Sequence, residues 1–135
     1  NGGSAANCSH SAGDWSKEIG SRTICLTDNI SALTAWSNDT NYDNALLASL
    51  KTYMNKGDLV IGYSGSGNSQ NIINAITWAK QNGAKTFGVT GNYIGLGGGE
   101  LKKLADNCIV FDTQSMEVIE DMQLIINHMI KNYIK

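Results

Sequence analysis

Three groups of side chains in this sequence have the types and spacing to do chemistry. The first lies in Gly57–Asn71, GDLVIGYSGSGNSQN, where an apolar run gives way to Ser64, Ser66 and Ser69 interleaved with Gly65 and Gly67. The other two each pair a histidine with an acid: His10 with Asp14 near one end of the chain, Glu120 with His128 near the other. No other histidine is present.

The serine segment reads as an anion site. It joins an apolar run, expected to be a strand, to SQNIINAITWAKQNG (69–83), expected to be a helix. A helix start offers free backbone N–H groups and a partial positive charge. Glycines let the backbone come close to a ligand, and serine hydroxyls donate to phosphate oxygens. Two nucleotide patterns fail here. The spacing Gly62-x-x-x-x-Gly67 matches a P-loop, but Asn68 stands where the lysine that neutralises the β- and γ-phosphates belongs. The dinucleotide pattern G-x-G-x-x-G puts Gln70 at its third glycine. A loop with hydroxyls and no cation suits one phosphomonoester, and three hydroxyls exceed what capping a helix requires.

His10 and Asp14 are four apart on an expected helix and share a face. Glu120 and His128 are eight apart. Eight residues turn a helix about 80° past two full turns, which places them on adjoining parts of one surface. Met122, Leu124, Ile125, Ile126, Met129 and Ile130 surround them. Polar groups on so apolar a helix need partners if buried. By spacing alone, these residues either border the core or line a site.

The elements that must carry these groups alternate. Helices are expected over 4–19 with Ser4 as N-cap, over 42–57 with Gly57 as its stop, over 69–83, over 99–106 and over 115–135. Strands are expected over 22–28 (RTICLTD), 58–64, 84–91 and 108–112. Such alternation predicts an α/β three-layer sandwich, a mostly parallel, doubly wound sheet with helices on both faces. Ligands collect at the carboxyl ends of strands in such folds, and the serine segment lies at one. The 135 residues suit one domain, 1–135, without internal repeats. The chain opens at Asn1 in a turn-like NGGS, and a preceding helix and first strand are expected.

Composition narrows the function. With 41% hydrophobic residues, 16% charged and a net charge of −2, the chain lacks the basic face that nucleic-acid binding needs. No apolar run is long enough to span a membrane. Cys8, Cys25 and Cys108 form no CxxC pair and read as reduced thiols of a cytoplasmic protein. Trp15, Trp36 and Trp78 are expected to pack rather than to bind.

The segment GDLVIGYSGSGNSQNIINAITWAKQNGAKTFGVTG closely resembles the sugar isomerase (SIS) domain, and NGGSAANCSH resembles the opening of its phosphoheptose isomerase branch. The resemblance runs from Asn1 to the last helix. It implies an aldose–ketose isomerase converting sedoheptulose 7-phosphate to a heptose 7-phosphate for surface polysaccharide. It implies that Ser64, Ser66 and Ser69 bind the phosphate, that Asn1 and Ser4 touch the sugar or phosphate, and that Asp28 and Asn29 approach the substrate. It implies that His10, Asp14, Glu120 and His128 line the site and hold zinc, with Asp14, Glu120 and His128 catalytic, and that the enzyme is a homotetramer. Three positions depart from the branch pattern: Gly65 replaces a threonine, Asp14 a glutamate and Glu120 a glutamine. The shorter Asp14 leaves the base as either Asp14 or Glu120. Glu117 matches a family acid, although an acid in a helix's first turn needs no function. The alternative is a non-catalytic SIS protein that senses a sugar phosphate or binds a protein partner, as a replication-initiator adaptor does. An aminosugar-phosphate isomerase or etherase is a third reading.

Overall fold

In the computed structural model, which describes residues 1–135, the chain forms six α-helices around a three-stranded parallel sheet. In order these are α1 (Gly2–Asp14), α2 (Ile30–Asp39), α3 (Tyr42–Tyr53), β1 (Leu59–Tyr63), α4 (Gln70–Gln81), β2 (Lys85–Gly91), α5 (Gly99–Leu104), β3 (Asn107–Phe111) and α6 (Met116–Ile134). The sheet order is β1-β2-β3, with Ile61 opposite Phe87 and Val89 opposite Ile109. Parallel neighbours need a crossover. Helices α4 and α5 supply the two crossovers.

The strands sort side chains to two faces by their period of two. Gly62 faces α4, where a Cβ would touch Ile72 and Ile76 at 3.2 Å. Tyr63 faces the other way and donates from its hydroxyl to Ser11 Oγ of α1 at 3.3 Å. The α4 side is filled by Leu46, Leu50, Ala75, Ala79 and Ala84, with Ile76, Leu101 and Ala105 beside them. On the α1 and α6 side, Ile119 is fully buried against Gly91. Helices thus cover both faces, which explains why β1 reads as an apolar run rather than an alternating one.

Several local expectations are corrected. Residues 22–28 do not form a strand. The β-branched residues of RTICLTD favour extension, but a strand needs a ladder partner. A cavity of about 660 Å³ separates this segment from β1, and the chain turns at Cys25–Asp28 instead. Residues 30–39 form α2, an element that no expected strand or helix covers; Asn29 caps it, accepting from the Ala32 amide at 3.0 Å. Finally, Asn1 rather than Ser4 precedes the first helix, and α3 ends at Tyr53, four residues before Gly57. Of the tryptophans, Trp78 packs on the core but Trp36 is 43% exposed, against the expectation that all three pack. No helix is long and apolar enough to cross a membrane.

Candidate functional site

The serine segment is a tight loop between β1 and α4, at the carboxyl end of β1. Its hydroxyls divide the work. Ser64 is buried, and its Oγ accepts from the Gly67 amide at 3.1 Å, so it shapes the loop from inside. Ser66 Oγ is part-exposed and accepts from the Asn68 amide at 3.2 Å. Ser69 precedes the first turn of α4 without a side-chain cap to it, and its Oγ accepts from the Ser64 hydroxyl at 3.4 Å. The loop is fastened to α5: the Leu101 amide donates to the Gly67 carbonyl at 2.9 Å, and the Glu100 amide to Asn68 Oδ1 at 2.9 Å. Gly65 suits a crowded place, since a Cβ there would collide with Met116 of α6.

Asn1 lies beside this loop. Its side-chain amide exchanges hydrogen bonds with that of Asn71 at 3.1 and 2.8 Å and accepts from the Tyr42 hydroxyl at 2.7 Å. Asn71 is 2% exposed and sits in the first turn of α4, so the start of α1 is tied to the helix that follows the serine loop. Ser4 is buried and, with Asn1, lines the large cavity beside β1. Asp28 and Asn29 line a different cavity, of about 510 Å³, on the far side of the 21–27 segment. Asn29 is occupied as the cap of α2. Glu117 accepts from the Ser115 hydroxyl at 2.8 Å in the first turn of α6, which accounts for it as part of the helix cap.

The cysteines, far apart in sequence, include a pair that meets where α1 passes the 21–27 segment. The neighbouring Cys8 thiol and the Thr27 hydroxyl, 3.0 Å from Cys25 Sγ, hold the Cys25 thiol below its ordinary value, while the Cys25 thiol and burial push Cys8 up.

The histidines converge. Helices α1 and α6 pack side by side, bringing His10 Nε2 within 3.2 Å of His128 Nε2, with the rings edge-to-face at 71°. Asp14 Oδ2 lies 3.5 Å from His10 Nε2 and 3.3 Å from His128 Nε2. One donor atom from each of the three falls within 4.8 Å of the others. Two imidazoles and a carboxylate at this spacing have the donor types and closeness that could hold a metal ion. Lys131 Nζ stands 3.8 Å from the same carboxylate oxygen.

Glu120 does not join this cluster. Eight residues of helix put it about 12 Å from His128 along α6. Its carboxylate is turned onto the Gly3 backbone in the first turn of α1, where a Cβ would collide with it. The expected set of four therefore resolves into a trio, with Glu120 at the end of α6 nearer the serine loop. Sequence spacing showed the shared face of each pair; the packing of α1 on α6 selects which members meet. Two further residues stand at the trio, Asn127 and Trp15, the latter expected only to pack. Asn127 donates to Asp14 Oδ2 at 3.3 Å, and Trp15 donates to Asn127 at 2.7 Å. Nothing in an apolar helix pattern distinguishes such an asparagine.

Comparison with known proteins identifies the family. The profile of the SIS domain family matches residues 1–91. The chain is 38% identical over 135 residues to a probable phosphoheptose isomerase of Thermoplasma volcanium, spanning 96% of this chain and 67% of that protein. It is equally similar, at 38%, to the phosphoheptose isomerase of Aliarcobacter butzleri, over 96% of this chain and 69% of that one. The solved structure of phosphoheptose isomerase GmhA from Neisseria gonorrhoeae superposes with a TM-score of 0.89 at 28% identity, covering 99% of this chain and 72% of that chain. A serine loop at a strand end, a His–Asp–His cluster across two helices and these likenesses lead to one conclusion: the chain belongs to the SIS domain family and, within it, to the phosphoheptose isomerases.

Proposed function

We propose that the chain interconverts sedoheptulose 7-phosphate and D-glycero-D-manno-heptose 7-phosphate, with the 7-phosphate on the Ser64–Ser69 loop and the C1–C2 end at His10, Asp14 and His128. The observation that carries this reading is the meeting of His10, Asp14 and His128 across 118 residues of sequence, at hydrogen-bond range of one another. A buried structural histidine needs one partner. Two histidines sharing one carboxylate at a part-exposed surface have the makings of an acid–base unit.

The reaction moves a proton between adjacent carbons. Asp14 takes a proton from C1 of the ketose while an imidazolium gives one to the C2 carbonyl oxygen, forming the enediol. Asp14 then returns its proton to C2 as the imidazole takes the proton of the C1 hydroxyl, leaving the aldehyde. Protons balance, and both groups end as they began. Asp14 rather than Glu120 is the base in this scheme, because both imidazoles touch Asp14 and neither is near Glu120. A carboxylate and a histidine within reach of one enediol meet the geometric requirement for general acid–base catalysis. The same three side chains have the donor chemistry to hold zinc, which when bound would polarise the sugar oxygens. On the loop, Ser66 and Ser69 with the first N–H groups of α4 take the phosphate.

Three further features complete the proposal. The exposed Val118, Ile125 and Met129 lie along one stripe of α6 at 44%, 47% and 62% exposure, which supports a homotetramer built on that face. The free thiols fit a cytoplasmic enzyme. Its heptose product would feed surface-polysaccharide synthesis.

The test is incubation with sedoheptulose 7-phosphate followed by NMR. Conversion by the wild-type chain, lost in His128→Ala and Asp14→Asn with circular dichroism unchanged, supports the reading. Full turnover in either variant overturns the assignment of the site. Sugar-phosphate binding without conversion by the wild type would favour the non-catalytic alternative. Sedimentation tests the assembly: a monomer at micromolar concentration refutes the tetramer.

A further inference from the structure

We infer that Asn127, itself held by Trp15, is a positioning residue for Asp14, pinning Oδ2 so that Oδ1 is presented to the sugar. The inference rests on the isomerase reading above. It starts from an asparagine that is 1% exposed in the middle of α6, facing α1. Burying an amide costs free energy unless its groups are bonded. Here both ends are. The Trp15 indole N–H donates to Asn127 Oδ1 at 2.7 Å, and Asn127 Nδ2 donates to Asp14 Oδ2 at 3.3 Å.

The chemistry leaves this chain one direction. An indole N–H only donates, and a carboxylate only accepts. The amide must therefore turn its oxygen to Trp15 and its NH2 to Asp14. The flipped amide would face donor with donor and acceptor with acceptor. Trp15 thus selects the amide orientation, and the amide selects one carboxylate oxygen. Every polar contact of Asp14 falls on that oxygen: His10 at 3.5 Å, His128 at 3.3 Å, Asn127 at 3.3 Å and Lys131 at 3.8 Å. Oδ1 has no protein partner and is the oxygen left to take the C1 proton.

The device answers a specific need. The terminal torsion of an aspartate is broad, and Asp14 has a shorter side chain than a glutamate. A carboxylate free to spin would spread its lone pairs over many directions, whereas rate depends on holding reacting atoms in line. A neutral amide can hold the carboxylate without adding a charge.

The experiment compares Trp15→Phe, Asn127→Leu and the double variant in steady-state turnover of sedoheptulose 7-phosphate. Asn127→Leu is expected to lower kcat by about 10-fold or more with KM within about twofold, the signature of a lost transition-state interaction. Trp15→Phe keeps the ring and removes the donor, and is expected to lower kcat by about threefold or more. Because Trp15 acts through Asn127, the double variant should be no slower than Asn127→Leu. A role in packing alone would make the two effects multiply. As a readout independent of turnover, the Asn127 side-chain amide signals in a ¹⁵N spectrum should shift in both Trp15→Phe and Asp14→Asn. An active wild type whose Trp15→Phe and Asn127→Leu variants match it overturns this inference alone, as do multiplying effects. An inactive wild type overturns the isomerase reading and this one with it. Should Asn127→Leu not fold, Trp15→Phe and the amide signals decide: wild-type kcat or unmoved signals refute it.

Discussion

Replacing Gly67 by alanine would show whether the serine loop is held by its clamp to α5. Gly67 has φ +70°, and a Cβ there would lie 2.6 Å from the Gly98 carbonyl carbon and 3.0 Å from Thr90 Oγ1, inside the contact radius of the Gly98 oxygen as well. The obstacle is backbone, which cannot swing aside as a flexible side chain can. The left-handed conformation alone costs an alanine about 1–2 kcal/mol. Relieving the collision must also stretch the Leu101-to-Gly67 hydrogen bond at 2.9 Å or the pair from the Gly67 amide to Ser64 at 3.1 and 3.2 Å. At about 1 kcal/mol for each bond lost, the total is ~2–4 kcal/mol. Gly97→Ala separates the two contributions: its φ is +59° but nothing lies within 4 Å of the added carbon, so it suffers the dihedral cost only. Urea unfolding should rank wild type, Gly97→Ala and Gly67→Ala in falling stability. Calorimetric titration with sedoheptulose 7-phosphate should show Gly67→Ala binding at least ~10-fold more weakly, which is about 1.4 kcal/mol, and Gly97→Ala binding nearly as wild type. The reasoning fails if Gly67→Ala unfolds within about 0.5 kcal/mol of wild type, the range of an ordinary surface change, or if the two variants bind alike.

The double variant Ser66→Ala/Ser69→Ala should keep the fold and weaken sugar-phosphate binding by about 1–3 kcal/mol, since hydrogen bonds to a charged group are worth about 1.5–3 kcal/mol; unchanged affinity by calorimetry removes the phosphate from this loop. Zinc titrated into metal-free protein should bind at one site per chain and bind far more weakly to His10→Ala, and equal affinity would refute the trio as a metal centre. Asp106 offers a pH test: the Thr86 amide, the Lys80 ammonium and the Thr86 hydroxyl hold its carboxyl at about 2, below its ordinary 3.8. A folded-state value below the unfolded one stabilises the fold above about pH 3.8, and that contribution is lost as pH falls through about 2. Asp106→Asn should flatten the urea midpoint against pH across this window, and a profile parallel to wild type would sink the assignment.

The alternation of apolar strand and amphipathic helix was legible from the sequence because it is a local property. The strands at 59–63, 85–91 and 107–111 and helices α4 and α6 stand close to where residue periods put them. The serine loop was legible for the same reason: three hydroxyls and two glycines between a strand and a helix define their own chemistry within a few residues. RTICLTD shows the limit of local signals. Its residues favour a strand, yet pairing belongs to two segments, and no neighbour meets it across the cavity beside β1. The histidine cluster shows the same limit. Spacing set His10 with Asp14 and Glu120 with His128, and nothing in either helix says which of the four will touch. The crossing of α1 on α6 decides that. It buries Asn127 at 1% exposure between Trp15 and Asp14, draws both imidazoles to one carboxylate oxygen, and leaves Glu120 two helical turns away against Gly3. Periodicity gives the direction of each side chain about its own axis, but contact between helices also depends on their relative rotation and translation, which only the packed tertiary structure determines.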